Sequence, residues 1–313
     1  MTARDERLQR IRILALLLTA LSLLVVAISA YLRLSGAGLG CAAWPDCYGQ
    51  LLSGAQSSPA GLVRISHRLA ASLALLPGFA LAWHCIRPDP IRPLAGHATL
   101  LVALMILLTF IGLWSSDPHR VWTGFLNMLG GLGLVALSWR IAVAADPLLP
   151  PQSSRSALPL QAGIAALVMT VALGALIGAR YAAATCGTTP ACAGVWWPAA
   201  GGLAALNPFA VVAAPGAPGD AGGVALHLFH RYCAVAALLL LGLGALRALA
   251  ADATRTAGGW LLALLAMELV LGSLTVVSGF SLWLAIGHSV GAAVLFAVAL
   301  QVLDACVQAR RRP

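Results

Sequence analysis

The sequence has no lysine and few charged residues of any kind. Of its 313 residues, 19 are basic, all of them arginine, and 10 are acidic. Charged residues therefore make up 9% of the chain, whereas soluble domains carry about 25%. A soluble protein of this length needs many more charged side chains to cover its surface. The shortage excludes a cytosolic enzyme, a nucleic-acid-binding protein and a disordered chain.

Long apolar runs dominate the chain, and hydrophobic residues make up 60% of it. A helix needs about 20 apolar residues to cross the hydrocarbon core of a bilayer. The sequence contains eight such runs, at roughly residues 11–32, 62–84, 94–114, 121–144, 158–181, 223–246, 259–280 and 283–304. This pattern predicts an all-α polytopic membrane protein with eight transmembrane helices.

The arginines are unevenly distributed between the two ends of the predicted spans. Thirteen lie in the termini and in the loops on one side, whereas the helix edges on the other side have at most Arg33, Arg64, Arg120 and Arg180. The positive-inside rule then predicts a multi-pass protein of a bacterial inner membrane with both termini in the cytoplasm. The net charge of +9 therefore reflects the orientation of a protein embedded in membrane lipid, and not affinity for nucleic acid.

The sequence contains an internal repeat. Two outer loops each carry a Cys-x5-Cys pair and each precede a span with an early His-Arg pair, namely Cys41, Cys47, His67 and Arg68 in the first copy and Cys186, Cys192, His230 and Arg231 in the second. The repeat predicts two four-helix bundles in the same membrane orientation. Residues 1–146 are the N-terminal half, 147–157 a Pro-rich cytoplasmic linker, and 158–313 the C-terminal half.

Four polar side chains are predicted to lie at one depth, about 8–11 Å below the outer surface: His67, Asn127, His230 and His288. Polar residues at such depth are costly in hydrocarbon and indicate a functional site. Two imidazoles on neighbouring helices can bind a heme iron from both faces. Hydrogen bonding between helices is the alternative, and zinc lacks further ligands of suitable spacing. We predict that His230 and His288 bind heme iron.

Three cationic or polar neighbours of the histidines are candidate cofactor contacts. Arg68 and Arg231 each follow a histidine, and a guanidinium is a natural partner for a heme propionate. The alternative for both is extension of the side chain to the lipid headgroups. His227 lies three residues before His230 and therefore on the same helix face. This position predicts that His227 contacts the rim of the heme pocket or a propionate, or that it lies at the membrane interface.

The outer cysteine pairs face an oxidising compartment, which favours the disulfides Cys41–Cys47 and Cys186–Cys192. A redox-active dithiol is the alternative. No Cys-x-x-Cys-His motif occurs, so nothing supports covalent heme attachment.

The chain resembles the heme A synthase family of cytochrome oxidase assembly enzymes along nearly its whole length. The matching segments are residues 31–41, 44–49, 66–70, 186–198, 227–231, 271–275 and 284–292. The resemblance implies oxidation of the C8 methyl of heme O to a formyl group, with water supplying the oxygen and an unidentified electron acceptor. It implies heme O as substrate, supplied by a heme O synthase, and heme b held by His230 and His288.

The N-terminal half departs from the family pattern at two positions. The second N-terminal histidine of the family falls on Asn127, and its glutamate falls on Arg64, so only His67 remains as an iron ligand there. The predicted catalytic set is His67, Asn127 and Arg64, with one open face on the substrate heme. A non-enzymatic b-heme protein is the rival hypothesis.

A transporter is disfavoured, because Glu268 is the one acidic residue predicted inside a span. Glycine runs at 130–133 and 242–244 permit close helix contacts within the chain or in a homo-oligomer.

Overall fold

The computed structural model describes residues 2–36, 58–114, 120–146, 157–210 and 220–308. In hydrocarbon every backbone polar group must find its partner within the segment, so long apolar runs form helices. The helices are α1 (Ala3–Gly36), α2 (Ser58–Ile86), α3 (Leu94–Trp114), α4 (Val121–Ala144), α5 (Leu158–Ala179), α6 (Ala221–Leu249), α7 (Asp252–Val277) and α8 (Leu282–Gln308), with a short 3-10 helix at Ala200–Leu206. All eight are long and apolar enough to span a membrane, which confirms the predicted fold class.

The first helix starts earlier than the apolar pattern predicts. It begins at Ala3 and not near residue 11, because polar contacts continue the helix beyond the apolar run. Arg7 donates hydrogen bonds to the backbone carbonyls of His84 (2.7 Å) and Asp89 (2.9 Å). Arg12 forms a 2.8 Å ion pair with Asp146 after α4. Both contacts join α1 to its neighbours at the end of the molecule that carries the N-terminus of α1, called here the terminal side.

The helices pack as two rings of four. In the first ring α1 and α3 each pack against α2 and α4, and in the second α5 and α7 each pack against α6 and α8. Helices α2 and α4, and likewise α6 and α8, therefore stand diagonally across their bundles. The bundles meet along α1, α4, α5 and α8. The predicted linker 147–157 lies outside the described residues except for Ala157.

Apolar side chains fill each bundle on the terminal side. The core of the first bundle includes Ile11, Leu81, Leu101 and Ile141, and that of the second includes Leu160, Leu241, Leu261 and Val302, all at most 2% exposed. These positions lie toward the terminal-side ends of their helices. The opposite half of each bundle, which carries His67 in the first and His227, His230 and His288 in the second, is called here the disulfide side after Cys186 and Cys192.

A polar contact fixes α4 against α8 across the bundle interface. The Arg140 guanidinium donates to both carboxylate oxygens of Asp304, at 2.7 and 2.8 Å. One residue earlier on α4, the Trp139 indole N–H donates to Gln301 at 2.9 Å. These bonds hold the relative register of the two helices that carry Asn127 and His288.

The glycine runs serve contacts within the chain. A Cβ at Gly130 would lie 2.4 Å from Leu108 of α3, and one at Gly244 would lie 2.5 Å from Leu160 of α5. The absence of a side chain therefore permits close helix approach in both bundles.

Candidate functional site

The structure places the repeated polar residues at matching positions in the two bundles. His67 and His230 are each the tenth residue of their helices, α2 and α6. Asn127 and His288 are each the seventh residue of α4 and α8. Since a helix rises about 1.5 Å per residue, the two members of each pair lie equally far from the helix start.

His230 and His288 face each other across the second bundle. Their ring centroids are 6.3 Å apart and the ring planes are 84° apart. Two imidazoles that bind one metal ion from opposite sides, with metal–nitrogen bonds of about 2 Å, have ring centroids roughly 6 Å apart. The spacing therefore fits a single metal ion held between the two rings.

The surroundings of His230 define which ring nitrogen is free. Its Nδ1 lies 2.9 Å from the backbone carbonyl of Thr170 on α5. A carbonyl only accepts hydrogen bonds, so Nδ1 carries the proton and Nε2 is left with its lone pair. A Cβ at Gly174 would lie 3.3 Å from Cε1 of the ring, so the bare glycine lets the imidazole lie against α5.

His288 has a similar setting with a different partner. Its Nδ1 lies 2.7 Å from Oε2 of Glu268 on α7, and Glu268 is 8% exposed. The contact is a close polar pair and not a linear hydrogen bond. A Cβ at Gly272 would lie 3.1 Å from Cε1 of His288. In the described part of the chain no side chain hydrogen-bonds to Nε2 of either histidine, so both are available to a ligand.

The other two predicted contacts of the C-terminal half hold the loop after α5. The buried His227 has Nε2 at 2.9 Å from the Ala182 carbonyl. The Arg231 guanidinium donates to the carbonyl of Pro190 at 2.9 Å, with longer contacts to those of Ala191 and Cys186. Both side chains therefore bind the loop between α5 and α6, on the disulfide side of the second bundle.

The predicted disulfide Cys186–Cys192 is present and buried, with both cysteines 1% exposed. Leu228 of α6 packs against it. Arg180 directly follows α5 and donates hydrogen bonds to two backbone carbonyls farther along the same loop, those of Ala205 (2.9 Å) and Asn207 (2.8 Å). Disulfide and hydrogen bonds together hold this loop on the bundle. The second predicted pair, Cys41–Cys47, lies outside the described residues.

Replacing both Cys186 and Cys192 with Ser is expected to lower the free energy of unfolding by about 2 kcal/mol, since a short closed loop no longer restricts the unfolded chain. Thermal unfolding in detergent measures the change. Cys233→Ser is the matched control, because Cys233 is a free cysteine on α6. An unfolding midpoint equal to that of the control would contradict a stabilising role.

The polar residues of the first bundle lie on its diagonal helices. His67 and Asn127 are half-buried on the diagonal helices α2 and α4, and Arg64 and Arg68 are exposed. Within the described ranges, neither the His67 ring nor the Asn127 amide has a hydrogen-bond partner. Both side chains are therefore available to a ligand, and the cationic Arg64 and Arg68 lie near His67 on α2.

One cation of this region was not among the sequence-predicted site residues. Arg33 on α1 has a buried Nε with no hydrogen-bond partner among the described residues, and its Nη1 is 3.3 Å from the Ser29 hydroxyl. Its Nε lies 3.1 Å from where a Cβ at Gly178 would stand. Burial raises the pKa of the Tyr181 phenol, while the charges of Arg33 and Arg64 oppose the shift. In the sequence, Arg33 is one of four arginines at helix edges on the outer side, which gives no indication of these contacts.

The described residues contain no group of three or more His, Cys, Asp or Glu side chains that could hold a metal ion. The imidazole pair of the second bundle has a ring spacing that fits a single metal ion.

Fold and site together define a polytopic membrane protein of two four-helix bundles with a pair of facing imidazoles. A family model described as COX15-CtaA, cytochrome oxidase assembly protein, matches residues 12–61 and 124–300. The chain belongs to this family, the heme A synthase family that the sequence motifs indicate. The match omits residues 62–123, which include His67 and Arg64, in agreement with divergence of the N-terminal half.

Among curated proteins, the heme A synthase of Shewanella oneidensis is similar to this chain. The two are 29% identical over 305 residues, which covers 88% of this chain and 90% of the relative. The similarity therefore extends over both bundles.

Proposed function

We propose that the protein is a heme A synthase-type oxidoreductase, which converts the C8 methyl of heme O to the formyl group of heme A for cytochrome oxidase assembly. The observation that carries this proposal is the facing pair His230 and His288 in a chain of this family. The centroids of the two imidazole rings are 6.3 Å apart. We place the protein in a bacterial inner membrane with both termini in the cytoplasm, so that the disulfide side faces outward.

In the C-terminal half, His230 and His288 would hold heme b, each with Nε2 available as the ligand atom. The group supplies, when bound, an iron that accepts and passes on single electrons. The chain's own part is to orient the ligands. The Thr170 carbonyl sets the ring of His230, Gly174 and Gly272 make room for the two rings, and Arg231 and His227 keep the loop in place above them.

In the N-terminal half, His67 binds the substrate heme O and leaves the face toward Asn127 open. Asn127 is a poor iron ligand, and its amide can instead orient a water molecule by hydrogen bonding. The exposed Arg64 and Arg68 lie near the outer surface, where guanidinium groups can bind propionate carboxylates. Oxidation of a methyl to a formyl group with oxygen from water releases electrons and protons, so the protein needs a separate electron acceptor.

A second candidate is a non-enzymatic b-heme protein acting in electron transfer or oxidase assembly. It is favoured by the contrast between the two halves. The C-terminal pair is intact, whereas Arg64 and Asn127 replace a carboxylate and an imidazole, and the family match omits residues 62–123.

Pigment extraction separates the two candidates. The protein is expressed in a bacterium that makes heme O and has no heme A synthase, and the extracted hemes are separated by chromatography. We expect heme A in these cells and none in cells with an empty vector. Bound heme b without any heme A would refute the synthase activity and favour the second candidate.

A further inference from the structure

Glu268 is an acidic residue in the interior of a membrane-spanning helix, where a carboxylate is costly. It is 8% exposed, and its Oε2 lies 2.7 Å from His288 Nδ1. Its other oxygen, Oε1, has no hydrogen-bond partner in the described part of the protein. Among the described residues, the His288 imidazole is thus the polar group that this carboxylate contacts.

Glycine residues shape the space that Glu268 and His288 share. A Cβ at Gly291 on α8 would lie 1.9 Å from Oε1 of Glu268, so any side chain there must displace the carboxylate. A Cβ at Gly272 on α7 would lie 3.1 Å from Cε1 of His288. The two helices therefore approach closely at this level because each places a glycine opposite the polar side chain of the other, Gly291 opposite Glu268 and Gly272 opposite His288.

The two facing histidines have matching supports with different charge. Thr170 lies four residues before Gly174 on α5, as Glu268 lies four residues before Gly272 on α7. For His230, the oxygen beside Nδ1 belongs to a neutral backbone carbonyl. For His288, it belongs to a side-chain carboxylate. In the first bundle the position twenty residues before Asn127, as Glu268 is before His288, is the apolar Leu107.

We propose that Glu268 is a positioning residue for His288. Its carboxylate lies beside Nδ1 of the ring at 2.7 Å, keeps Nε2 directed toward His230, and makes this imidazole the stronger electron donor of the pair. A carboxylate partner raises the basicity of a metal-binding histidine, which stabilises the oxidised iron and lowers its midpoint potential. The inference depends on the heme b site proposed above and not on the oxidation of heme O.

The test compares purified, heme-loaded wild-type protein with Glu268→Gln and Glu268→Leu. We expect Glu268→Gln to retain heme and to raise the midpoint potential, because a neutral amide replaces the carboxylate. Glu268→Leu removes the carboxylate beside His288, and loss of such a partner weakens metal affinity about 10- to 100-fold. Redox titration followed by absorption, the low-temperature EPR spectrum of the oxidised heme, and the heme-to-protein ratio provide the readouts.

Gly291→Ala tests the same contact without altering the acid. It must displace the Glu268 carboxylate, so we expect a rise in potential in the same direction as Glu268→Gln. Gly242→Ala on α6 is the matched control, because a Cβ there has nothing within 4 Å. This pair of variants keeps the proposal testable if Glu268→Gln fails to fold.

Two contrary outcomes have separate meanings. Heme with an unchanged potential and EPR spectrum in Glu268→Gln and Gly291→Ala would overturn the role of Glu268 alone. Absence of heme from the wild-type protein would overturn the heme b site and the role of Glu268 together.

Discussion

Replacement of either His230 or His288 by Ala is expected to abolish the low-spin absorption spectrum of a heme bound by two imidazoles. The two rings lie on opposite sides of the proposed metal position, and their centroids are 6.3 Å apart. The described residues contain no group of three or more His, Cys, Asp or Glu side chains that could hold the metal instead. The remaining single imidazole leaves the iron five-coordinate or releases the heme. Reduced-minus-oxidised spectra and the heme-to-protein ratio of the purified variants measure the loss.

His84→Ala is the control for these substitutions. His84 lies near the terminal-side end of α2, away from the facing pair, and its backbone carbonyl accepts the bond from Arg7. This variant is expected to keep the wild-type spectrum. Unchanged spectra in both the His230 and the His288 variants would show that the heme is held elsewhere.

His67→Ala is expected to reduce heme A formation strongly while leaving the C-terminal heme in place. The reason is that His67 lies on α2, which belongs to the first bundle, whereas His230 and His288 are supported by α5 and α7 of the second. Heme A production in cells and the heme b content of the purified protein are measured on the same preparation.

Asn127→His is the converse change. Asn127 occupies the same place in α4 as His288 in α8, so an imidazole there supplies a second ligand on the open face. We expect the substrate heme to shift toward a six-coordinate, low-spin form, seen by absorption and EPR. Activity and heme stoichiometry unaffected by His67→Ala would mean that the first bundle is not a catalytic site, and would favour the non-enzymatic b-heme protein.

Several features of the fold could be predicted because they depend on the chain in one dimension. The length of an apolar run compared with the bilayer thickness predicts the number of spans, and all eight are found. The ends of the helices were less predictable. Helix α1 extends to Ala3 through the contacts of Arg7 and Arg12, which depend on α2 and Asp146 from distant parts of the sequence.

The candidate site could be predicted in part. The spacing of the repeat was sufficient to place His230 and His288 at one depth, and the structure brings their rings together. The partner of Glu268 and the unpaired Nε of Arg33 could not be predicted. Both depend on how far each helix is rotated about its axis, which the nearly uniform apolar composition of these spans leaves unspecified.

The sequence by itself determined the class of protein, the eight spans and the duplicated order of cysteines and histidines. These follow from hydrophobic length and residue spacing, which packing does not alter. Only the tertiary structure decided which ring nitrogens are free. The Thr170 carbonyl and the Glu268 carboxylate reach Nδ1 of their histidines because Gly174, Gly272 and Gly291 allow neighbouring helices to approach closely. That approach is a property of helix pairs and is absent from any single segment.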